Sequence, residues 1–264
     1  MPELPEVETI RRQLSQKIVG KKLNGKRING LRRRAKILII DFNNGSSLVF
    51  HLKLTGQLIY NKKPSRFTRK VFNFDDGSRL IFNDVRKFGW WKMVKNTKEI
   101  EQNFGPEALE IDFITFSDLL GKRPNAKIKP LLMDQKFIAG IGNIYSDEIL
   151  FASKVHPLRQ AKTLGKEEIK LIYQNIKKIL KEAIKRHGSS VQSYLDAYGQ
   201  KGDYVKYHKV YQKEGEKCPR RDRGIIQRIK IGGRSSRFCP RCQPFNVVQA
   251  FGSESHQDRR DKKI

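Results

Sequence analysis

The sequence predicts an α+β multidomain protein: an N-terminal helix with an antiparallel β sandwich, then a helical domain, then a β hairpin. Short apolar runs between turn signals fill the chain up to about residue 95, a pattern typical of antiparallel strands. Farther on, apolar residues recur at helical spacing, and near the C-terminus three cysteines flank a basic, hairpin-like stretch. We expect domains over residues 1–95, 96–211 and 212–243, followed by a disordered tail over 244–264.

The charge balance indicates a protein that binds a polyanion. The 264 residues include 55 Lys and Arg against 27 Asp and Glu, a formal net charge of +28. Nucleic acid is the simplest partner for such a chain. A membrane partner is disfavoured because no apolar run approaches the ~20 residues of a spanning helix, and no signal peptide is visible. Cysteines confined to residues 218–242 do not suggest a disulfide framework, so we expect a reducing, bacterial-type cytoplasm.

The first twelve residues combine a proline and two carboxylates that suit covalent chemistry. Removal of Met1, expected before a small residue, would leave Pro2 with a secondary amine whose ordinary pKa lies near ~8. Such an amine can attack a sugar C1′ and form an iminium, with Glu3 and Glu6 close enough to act as acid and as stabiliser of positive charge. The alternative is an ordinary helix start, where proline and acidic residues are also favoured. An apolar stripe follows at Val7, Ile10 and Leu14.

Two β hairpins are predicted after the first helix. In each, apolar and β-branched runs are separated by a turn signal that contains a glycine, Gly45 in the first and Gly77 in the second. Residues up to about Val94 therefore look like an antiparallel sandwich. The strands are expected at 37–42, 47–54, 71–74 and 79–82. Before the first of them, the basic run 32–36 has the composition of a solvated surface.

A turn after the second hairpin carries Arg86 and Phe88, two residues apart. An apolar wedge with an arginine can fill the gap that a flipped base leaves in a stacked duplex. The alternative is a strand end with a core phenylalanine.

Helices are expected at about 115–121, 129–138, 143–155 and 166–187, the last with a long amphipathic stripe. Before the third, Gly140 and Gly142 precede Asn143, which would let backbone N–H groups approach a phosphate at a helix N-terminus. The same pattern also makes an ordinary capped turn.

The cysteines near the C-terminus resemble a zinc site with one ligand changed. Cys239 and Cys242 form an intact C-x-x-C pair, but the matching position after Cys218 is Arg221, which cannot bind zinc. The fourth ligand is lost or replaced, and Asp222, water or His208 are the candidates.

Several stretches resemble the formamidopyrimidine-DNA glycosylase family of bacterial base-excision repair enzymes. The N-terminus Pro2 to Arg12 is similar to that of the family, and Leu4 favours it over the related endonuclease VIII type, which usually has Gly there. The run 33–36 and the string from Leu131 to Phe151 are similar to its phosphate-contacting segment and to its helix–two-turn–helix clamp. The resemblance runs from residue 2 to 243, with the motifs in the family's order.

The resemblance implies roles for the residues around the reacting sugar. Pro2 would be the nucleophile and Glu3 the general acid, while Glu6 would order the N-terminus or balance its charge. Lys36 would contact the phosphate that flanks the lesion and assist strand cleavage. Arg234, in the C-terminal hairpin, would grip the flanking phosphates.

The resemblance also implies a DNA-binding set. Arg86 and Phe88 would fill the gap left by the flipped base, and Leu54 stands where the family usually has a Met wedge. Asn143 would hold the phosphate beside the lesion, and Arg123 lies next to Pro124, where a basic DNA-binding residue is common. Cys218, Cys239 and Cys242 would hold one structural zinc ion in a degenerate finger.

The expected function is that of a bifunctional DNA glycosylase and AP lyase. The resemblance implies a monomer that acts on damaged double-stranded DNA near the nucleoid, excises 8-oxoguanine and formamidopyrimidines through a proline imine, and cleaves by β,δ-elimination. One alternative is a non-catalytic protein that binds damaged DNA or abasic sites, which the altered finger and a short 20–32 region favour. A weaker alternative is an endonuclease VIII-like preference for oxidised pyrimidines.

Overall fold

A computed structural model describes residues 1–245, and most of the predicted tail, residues 246–264, lies outside the described residues. The predicted fold class is confirmed: an N-terminal helix, antiparallel sheets, a helical region and a C-terminal hairpin follow one another along the chain. The helices are Leu4–Ile18 (α1), Lys98–Glu101 (α2), Phe113–Gly121 (α3), Ile128–Met133 (α4), Asn143–Ala152 (α5) and Lys166–Lys185 (α6). The strands are Lys22–Leu23 (β1), Lys26–Arg34 (β2), Ile37–Phe42 (β3), Ser47–His51 (β4), Gly56–Tyr60 (β5), Thr68–Asn73 (β6), Arg79–Asp84 (β7), Trp90–Val94 (β8), Gln227–Ile231 (β9) and Arg234–Phe238 (β10).

Two antiparallel sheets form the sandwich. The larger has the order β1-β2-β3-β4-β8, and the smaller has the order β5-β7-β6. Alternate apolar side chains of both sheets meet in one core, where Phe50 of the larger sheet contacts Phe72 and Phe82 of the smaller. The short 20–32 region forms the hairpin β1–β2 at one edge of the larger sheet.

Helix α1 closes one end of this core. The Glu6 carboxylate accepts a hydrogen bond from the backbone N–H of Glu3, one of the donors that a helix start leaves unpaired. The apolar stripe Val7, Ile10 and Leu14 is buried against the sandwich. Because α1 also packs against α6, the N-terminal segment lies where the two main units meet.

The two predicted hairpins form, with Gly45 and Gly77 at positive φ in their turns. The second strand of the first hairpin ends three residues earlier than expected, at His51, because the chain reverses there. Lys53 has a φ of 50°, and an added Cβ at Gly56 would lie 2.5 Å from the Leu52 carbonyl oxygen. This tight reversal leads into β5, a strand that the sequence pattern did not reveal.

The basic run 32–36 is not the solvated surface that its composition indicates. The guanidinium groups of Arg33 and Arg34 both contact Glu107, at 2.5 and 2.7 Å, and Arg32 pairs with Asp41 and Glu101. Glu107 is only 8 % exposed. These ion pairs join β2 to the connection between the sandwich and the helical region.

The helical region has a separate core around α5 and α6, whose apolar faces are buried against each other. The second predicted helix, 129–138, ends at Met133, because Asp134 takes an extended conformation with ψ of 111°. The Gln135 side chain then organises the turn into α5: its amide donates to the Ile141 carbonyl at 2.7 Å and accepts from the Gly140 N–H at 2.9 Å. None of the helices within residues 1–245 is long and apolar enough to cross a membrane.

Candidate active site and nucleic-acid interface

The N-terminal segment is held by the start of α5. The Glu3 carboxylate accepts hydrogen bonds from the backbone N–H groups of Gly142, Ile144 and Tyr145, at 2.7, 2.8 and 3.4 Å. The N–H of Leu4 donates to the Gly140 carbonyl at 3.0 Å. A carboxylate at a helix N-terminus is favoured by the unpaired N–H groups and by the helix dipole. The position of Glu3 is therefore set by an element almost 140 residues away in sequence.

This arrangement changes the interpretation of Gly140 and Gly142. The sequence suggested that amides here approach a phosphate, whereas the Gly142 N–H is occupied by Glu3. An added Cβ at Gly142 would lie 2.5 Å from Glu3 Oε1, and one at Gly140, where φ is 105°, would lie 2.5 Å from Leu4 Cδ1. Both positions need glycine because the N-terminal segment packs directly on their backbone.

Glu6 is fully buried beside Glu3. Its Oε1 accepts from the Tyr145 hydroxyl at 2.6 Å and from the Ser189 N–H at 2.7 Å, and its Oε2 accepts from the Glu3 N–H at 2.7 Å. Burial, with the neighbouring Glu3 charge, raises the pKa of Glu6, while these hydrogen bonds lower it. Gly188, with φ of 80°, leaves room for the carboxylate.

Lys36 and Arg234 bring positive charge to the same place. Lys36 is buried after Ala35, whose φ of 53° turns the chain between β2 and β3, and burial lowers the pKa of its ammonium. Arg234 is exposed at the start of β10, yet it is close enough to lower the pKa of Lys36 further. Glu3 and Glu6 oppose both effects. The structure therefore brings together residues from α1, the β2–β3 turn and the β9–β10 hairpin.

The chain terminus lies within this group. Met1 precedes Pro2 in the structure, and burial lowers the pKa of the Met1 amine, while Glu3 and Glu6 raise it and Lys36 and Arg234 lower it. Pro2 is buried at a cavity of about 60 Å³. Leu54, half-buried in the tight turn after β4, also lines this cavity, as do Ser189, Tyr194 and Tyr211.

The turn that carries Arg86 and Phe88 is rigidly held and exposed. The Asp84 carboxylate accepts from the Gly89 N–H at 2.6 Å, from the Arg86 N–H at 3.3 Å and from the Thr55 hydroxyl. Phe88 is 55 % exposed, so it is not the core phenylalanine of the alternative interpretation. The Arg86 guanidinium lies 5.1 Å from the centre of its ring. Asp84, which supports this turn, was not singled out from the sequence.

Two further residues assigned to DNA binding lie in the helical region. Asn143 is the first residue of α5, half-buried, and its Oδ1 is among the buried side-chain atoms without a hydrogen-bond partner within the described residues. Arg123 is exposed in the loop after α3.

Four side chains in the C-terminal unit converge as metal ligands. Ligand atoms of Cys218, Asp222, Cys239 and Cys242 all lie within 4.8 Å of one another. Positive φ angles at Arg221 and Arg223, 57° and 62°, turn Asp222 inward. Three thiolates and one carboxylate form a donor set that suits tetrahedral zinc. His208, the other candidate side chain, lies elsewhere, with its Nε2 2.9 Å from Ser189 Oγ.

A buried ion pair connects this unit to the helical region. Lys129 Nζ lies 2.6 Å from Asp147 Oδ1 and donates to the Ser235 carbonyl at 2.8 Å. Asp147 also accepts from the Ser236 hydroxyl and the Arg237 N–H, at 3.0 and 3.1 Å. These contacts place β10, and therefore Arg234, relative to α5. The sequence did not predict this ion pair, because Lys129 and Asp147 lie 18 positions apart and belong to no recognisable motif.

Comparison with known families matches three parts of the chain. The formamidopyrimidine-DNA glycosylase N-terminal domain matches residues 19–91, the formamidopyrimidine-DNA glycosylase H2TH domain matches residues 104–194, and the zinc finger found in FPG and IleRS matches residues 215–244. Together these matches cover most of the chain in the order of its structural units.

Relatives that match over nearly their full length carry the same family name. The chain is 38 % identical over 274 residues to the formamidopyrimidine-DNA glycosylase of Herpetosiphon aurantiacus, covering 92 % of this chain and all of that one. It is 40 % identical over 278 residues to that of Pelotomaculum thermopropionicum, covering 92 % and 99 %.

Solved structures give the same result. A complex between the Lactococcus lactis Fpg and an abasic site containing DNA matches with a TM-score of 0.84 and 36 % identity, covering 92 % of this chain and 99 % of that one. A structure of MutM in complex with carbocyclic 8-oxo-G containing DNA matches with a TM-score of 0.84 and 35 % identity, covering 92 % and 100 %. With three family matches in order, identities near 40 % over nearly the whole chain and a shared fold, the chain belongs to the formamidopyrimidine-DNA glycosylase family.

Proposed function

We propose that the protein is a bifunctional DNA glycosylase and AP lyase of base-excision repair that removes oxidised purines through the Pro2 amine. The observation that carries the proposal is the position of Pro2, buried at a cavity beside Glu3, Glu6 and Lys36. Two carboxylates and two cations around one N-terminus suit a reaction in which positive charge develops on an amine next to phosphates. The relatives are formamidopyrimidine-DNA glycosylases, and similar solved structures hold abasic-site, 8-oxo-G and Fapy-dG containing DNA.

The proposed chemistry begins after Met1 is removed. The Pro2 nitrogen attacks C1′, the bond from C1′ to the damaged base breaks, and the base leaves with a proton. Glu3 acts as general acid on the opening sugar, and the C1′–nitrogen iminium that results makes the C2′ proton acidic. Loss of that proton to solvent expels the 3′ phosphate by β-elimination, and loss of the C4′ proton expels the 5′ phosphate by δ-elimination. Water then hydrolyses the iminium and frees the Pro2 amine. Lys36 and Arg234 hold the two leaving phosphates, while the Glu6 carboxylate balances the charge of the iminium.

The same proposal assigns the surrounding residues to DNA. The target base is flipped out of the stack, and Leu54, Arg86 and Phe88 fill the gap that it leaves. Asn143 binds the phosphate beside the lesion through its amide, and Arg123 contacts the backbone farther away. Phe88 supports this assignment because an aromatic ring 55 % exposed on a braced turn has no role in the core.

The C-terminal unit would hold one zinc ion through Cys218, Asp222, Cys239 and Cys242. Zinc stabilises a fold of this kind and supplies no step of the reaction. Asp222 takes the place of the missing fourth cysteine, and its carboxylate lies 3.3 Å from the Cys239 sulphur. The remaining domain boundaries, 1–95, 96–211 and 212–243, are part of the same proposal.

Borohydride trapping on a duplex with 8-oxoguanine opposite cytosine tests the proposal. Borohydride reduces an iminium to a stable adduct, so the wild-type protein should give a shifted band. The band should disappear in protein whose N-terminus is blocked, because the iminium requires the free Pro2 amine. Tight binding of the duplex without an adduct would indicate the non-catalytic damage-binding protein instead. A panel with oxidised pyrimidines separates the endonuclease VIII-like preference from the proposed one.

A further inference from the structure

A buried chain of hydrogen bonds leads from His208 to Glu6. His208 Nε2 lies 2.9 Å from Ser189 Oγ, which lies 3.2 Å from the Tyr145 hydroxyl, which donates to Glu6 Oε1 at 2.6 Å. All four side chains are buried; His208 is 4 % exposed. These hydrogen bonds start at His208, directly after the 3₁₀ turn Tyr204–Tyr207, and reach Glu6 in α1 through Tyr145 in α5. Neither the proposed mechanism nor the metal site uses His208.

Counting protons fixes the direction of the chain. Tyr145 has one hydroxyl proton, and Glu6 accepts it. The bond between Ser189 and Tyr145 therefore requires the Ser189 hydroxyl to donate. Since that proton is used, Ser189 must accept from His208, and the imidazole must carry its proton on Nε2. One arrangement satisfies all three bonds, and it leads from His208 as the first donor to Glu6 as the final acceptor.

We propose that His208 is a positioning residue for the reaction: through Ser189 and Tyr145 it fixes the hydrogen bond that keeps Glu6 ionised beside the Pro2 amine. The inference deepens the proposed function and rests on it, since Glu6 matters only if a cation forms at Pro2. Hydrogen bonds in a buried chain polarise one another, so a donor at the far end strengthens the last bond. His208 touches neither DNA nor the reacting atoms in this scheme and acts only through its two neighbours.

The charges around Glu6 make this bond important. Glu6 faces the Glu3 carboxylate, the Lys36 ammonium and the terminal amine, and the Tyr194 hydroxyl lies 3.4 Å from its backbone carbonyl. Burial and Glu3 raise the pKa of Glu6, and the bond from Tyr145 lowers it. Weakening that bond raises the pKa further. As the solution is acidified, an activity that needs ionised Glu6 is then lost at a higher pH than in the protein with the intact Tyr145–Glu6 hydrogen bond.

The imidazole itself stays neutral over the working range. His208 packs between the rings of Tyr204 and Tyr211, and Lys213 is the charged group that faces it. Burial, with a smaller effect from Lys213, lowers the pKa of His208 to about 4. A shift of the acidic limb in a His208 variant therefore does not come from the titration of His208 itself.

The test is a pH profile of single-turnover base excision and borohydride-trapped adduct from pH 5 to 9. In His208→Leu the acidic limb should move to higher pH, with rates on that limb roughly twofold to tenfold below those of wild type at the same pH, the effect of weakening about one hydrogen bond. His208→Gln, whose amide can still donate to Ser189, should keep the wild-type limb. The double variant His208→Leu with Ser189→Ala should match Ser189→Ala alone, because His208 acts through that hydroxyl.

A matched control is His156→Leu, which removes another buried histidine that packs on Phe238 in the C-terminal unit. It should leave the limb unchanged even if thermal stability falls. Three outcomes would each overturn the inference while leaving the proposed function in place. They are an acidic limb in His208→Leu at the wild-type pH, a shifted acidic limb in His208→Gln, and additive effects in the double variant. A wild-type protein that forms no adduct at any pH would refute the proposed function and, with it, the role of His208.

Discussion

Replacing Gly142 by alanine should disable the reaction without unfolding the protein. The new Cβ would lie 2.5 Å from Glu3 Oε1, about 1 Å inside ordinary contact, because the carboxylate packs directly on this backbone. To relieve the clash Glu3 must move by about 1 Å, and its bonds to the Gly142 and Ile144 N–H groups, now 2.7 and 2.8 Å, would exceed hydrogen-bonding distance. Hydrogen bonds to a charged group contribute about 1.5–3 kcal/mol each.

The expected cost follows from these contacts. If the displaced carboxylate recovers half of its hydrogen bonding from water, about 1.5–3 kcal/mol is lost over the two bonds, which corresponds to roughly 10- to 150-fold slower adduct formation. The assay is the single-turnover rate of borohydride trapping at saturating enzyme, with thermal unfolding measured in parallel. Gly30→Ala is the matched control, since nothing lies within 4 Å of a Cβ there. A Gly142→Ala rate within twofold of the Gly30→Ala rate would show that α5 does not position Glu3 for catalysis.

Four other perturbations have defined outcomes. Glu107→Ala leaves the Arg34 guanidinium without a carboxylate partner and Arg33 with only Glu8, at 3.4 Å, so it should lower the free energy of unfolding in urea by about 3–5 kcal/mol. A loss below 1 kcal/mol would show that the ion pairs of Glu107 are not structural. Asp222→Ala should lower the zinc content of purified protein while Asp222→Cys keeps it, and equal zinc in both would remove Asp222 from the ligand set. Burial lowers the pKa of His156 from 6.5 to about 4, so between these pH values the unfolded state binds a proton that the folded state does not, and the free energy of unfolding should fall as pH drops from 6.5 to 4. His156→Leu should make this dependence of stability on pH less steep by up to about 1.4 kcal/mol per pH unit. An unchanged dependence would contradict the lowered pKa of His156. Phe88→Ala should weaken binding to a lesion duplex at least about threefold with an unchanged melting temperature, because the ring is exposed; a lowered melting temperature with unchanged binding would place Phe88 in the fold.

Local sequence patterns predicted the elements whose causes are local. The glycines at 45 and 77 marked hairpin turns because a residue at positive φ is needed there. The stripe of α1 and that of α6 followed from spacing alone. The helix that was expected to reach residue 138 stopped at Met133, since the Gln135 side chain offers the following backbone other hydrogen bonds.

The parts that could not be predicted depend on partners distant in sequence. The run 32–36 has the composition of a surface, and only the fold shows that Glu107 lies against it. The sequence singled out Gly140 and Gly142, but it could not show that their backbone packs against Leu4 and Glu3, respectively. The sequence did indicate Asp222 as a candidate ligand, because it lies only four residues after Cys218, and the structure places its carboxylate beside the three cysteines.

The ion pair between Lys129 and Asp147 gives the C-terminal hairpin an attachment that does not depend on metal. It holds β10 close to Arg234, whereas the cysteines lie at the opposite end of the strand. The two ends are therefore stabilised separately: one by a buried charge, the other by metal ligands. Under the proposed function, a change of metal ligand at one end would leave Arg234 held in place at the other end. Arg221, which stands where a C-x-x-C pair beginning at Cys218 would have its second cysteine, and Asp222 both lie at the end of the hairpin that this attachment does not hold.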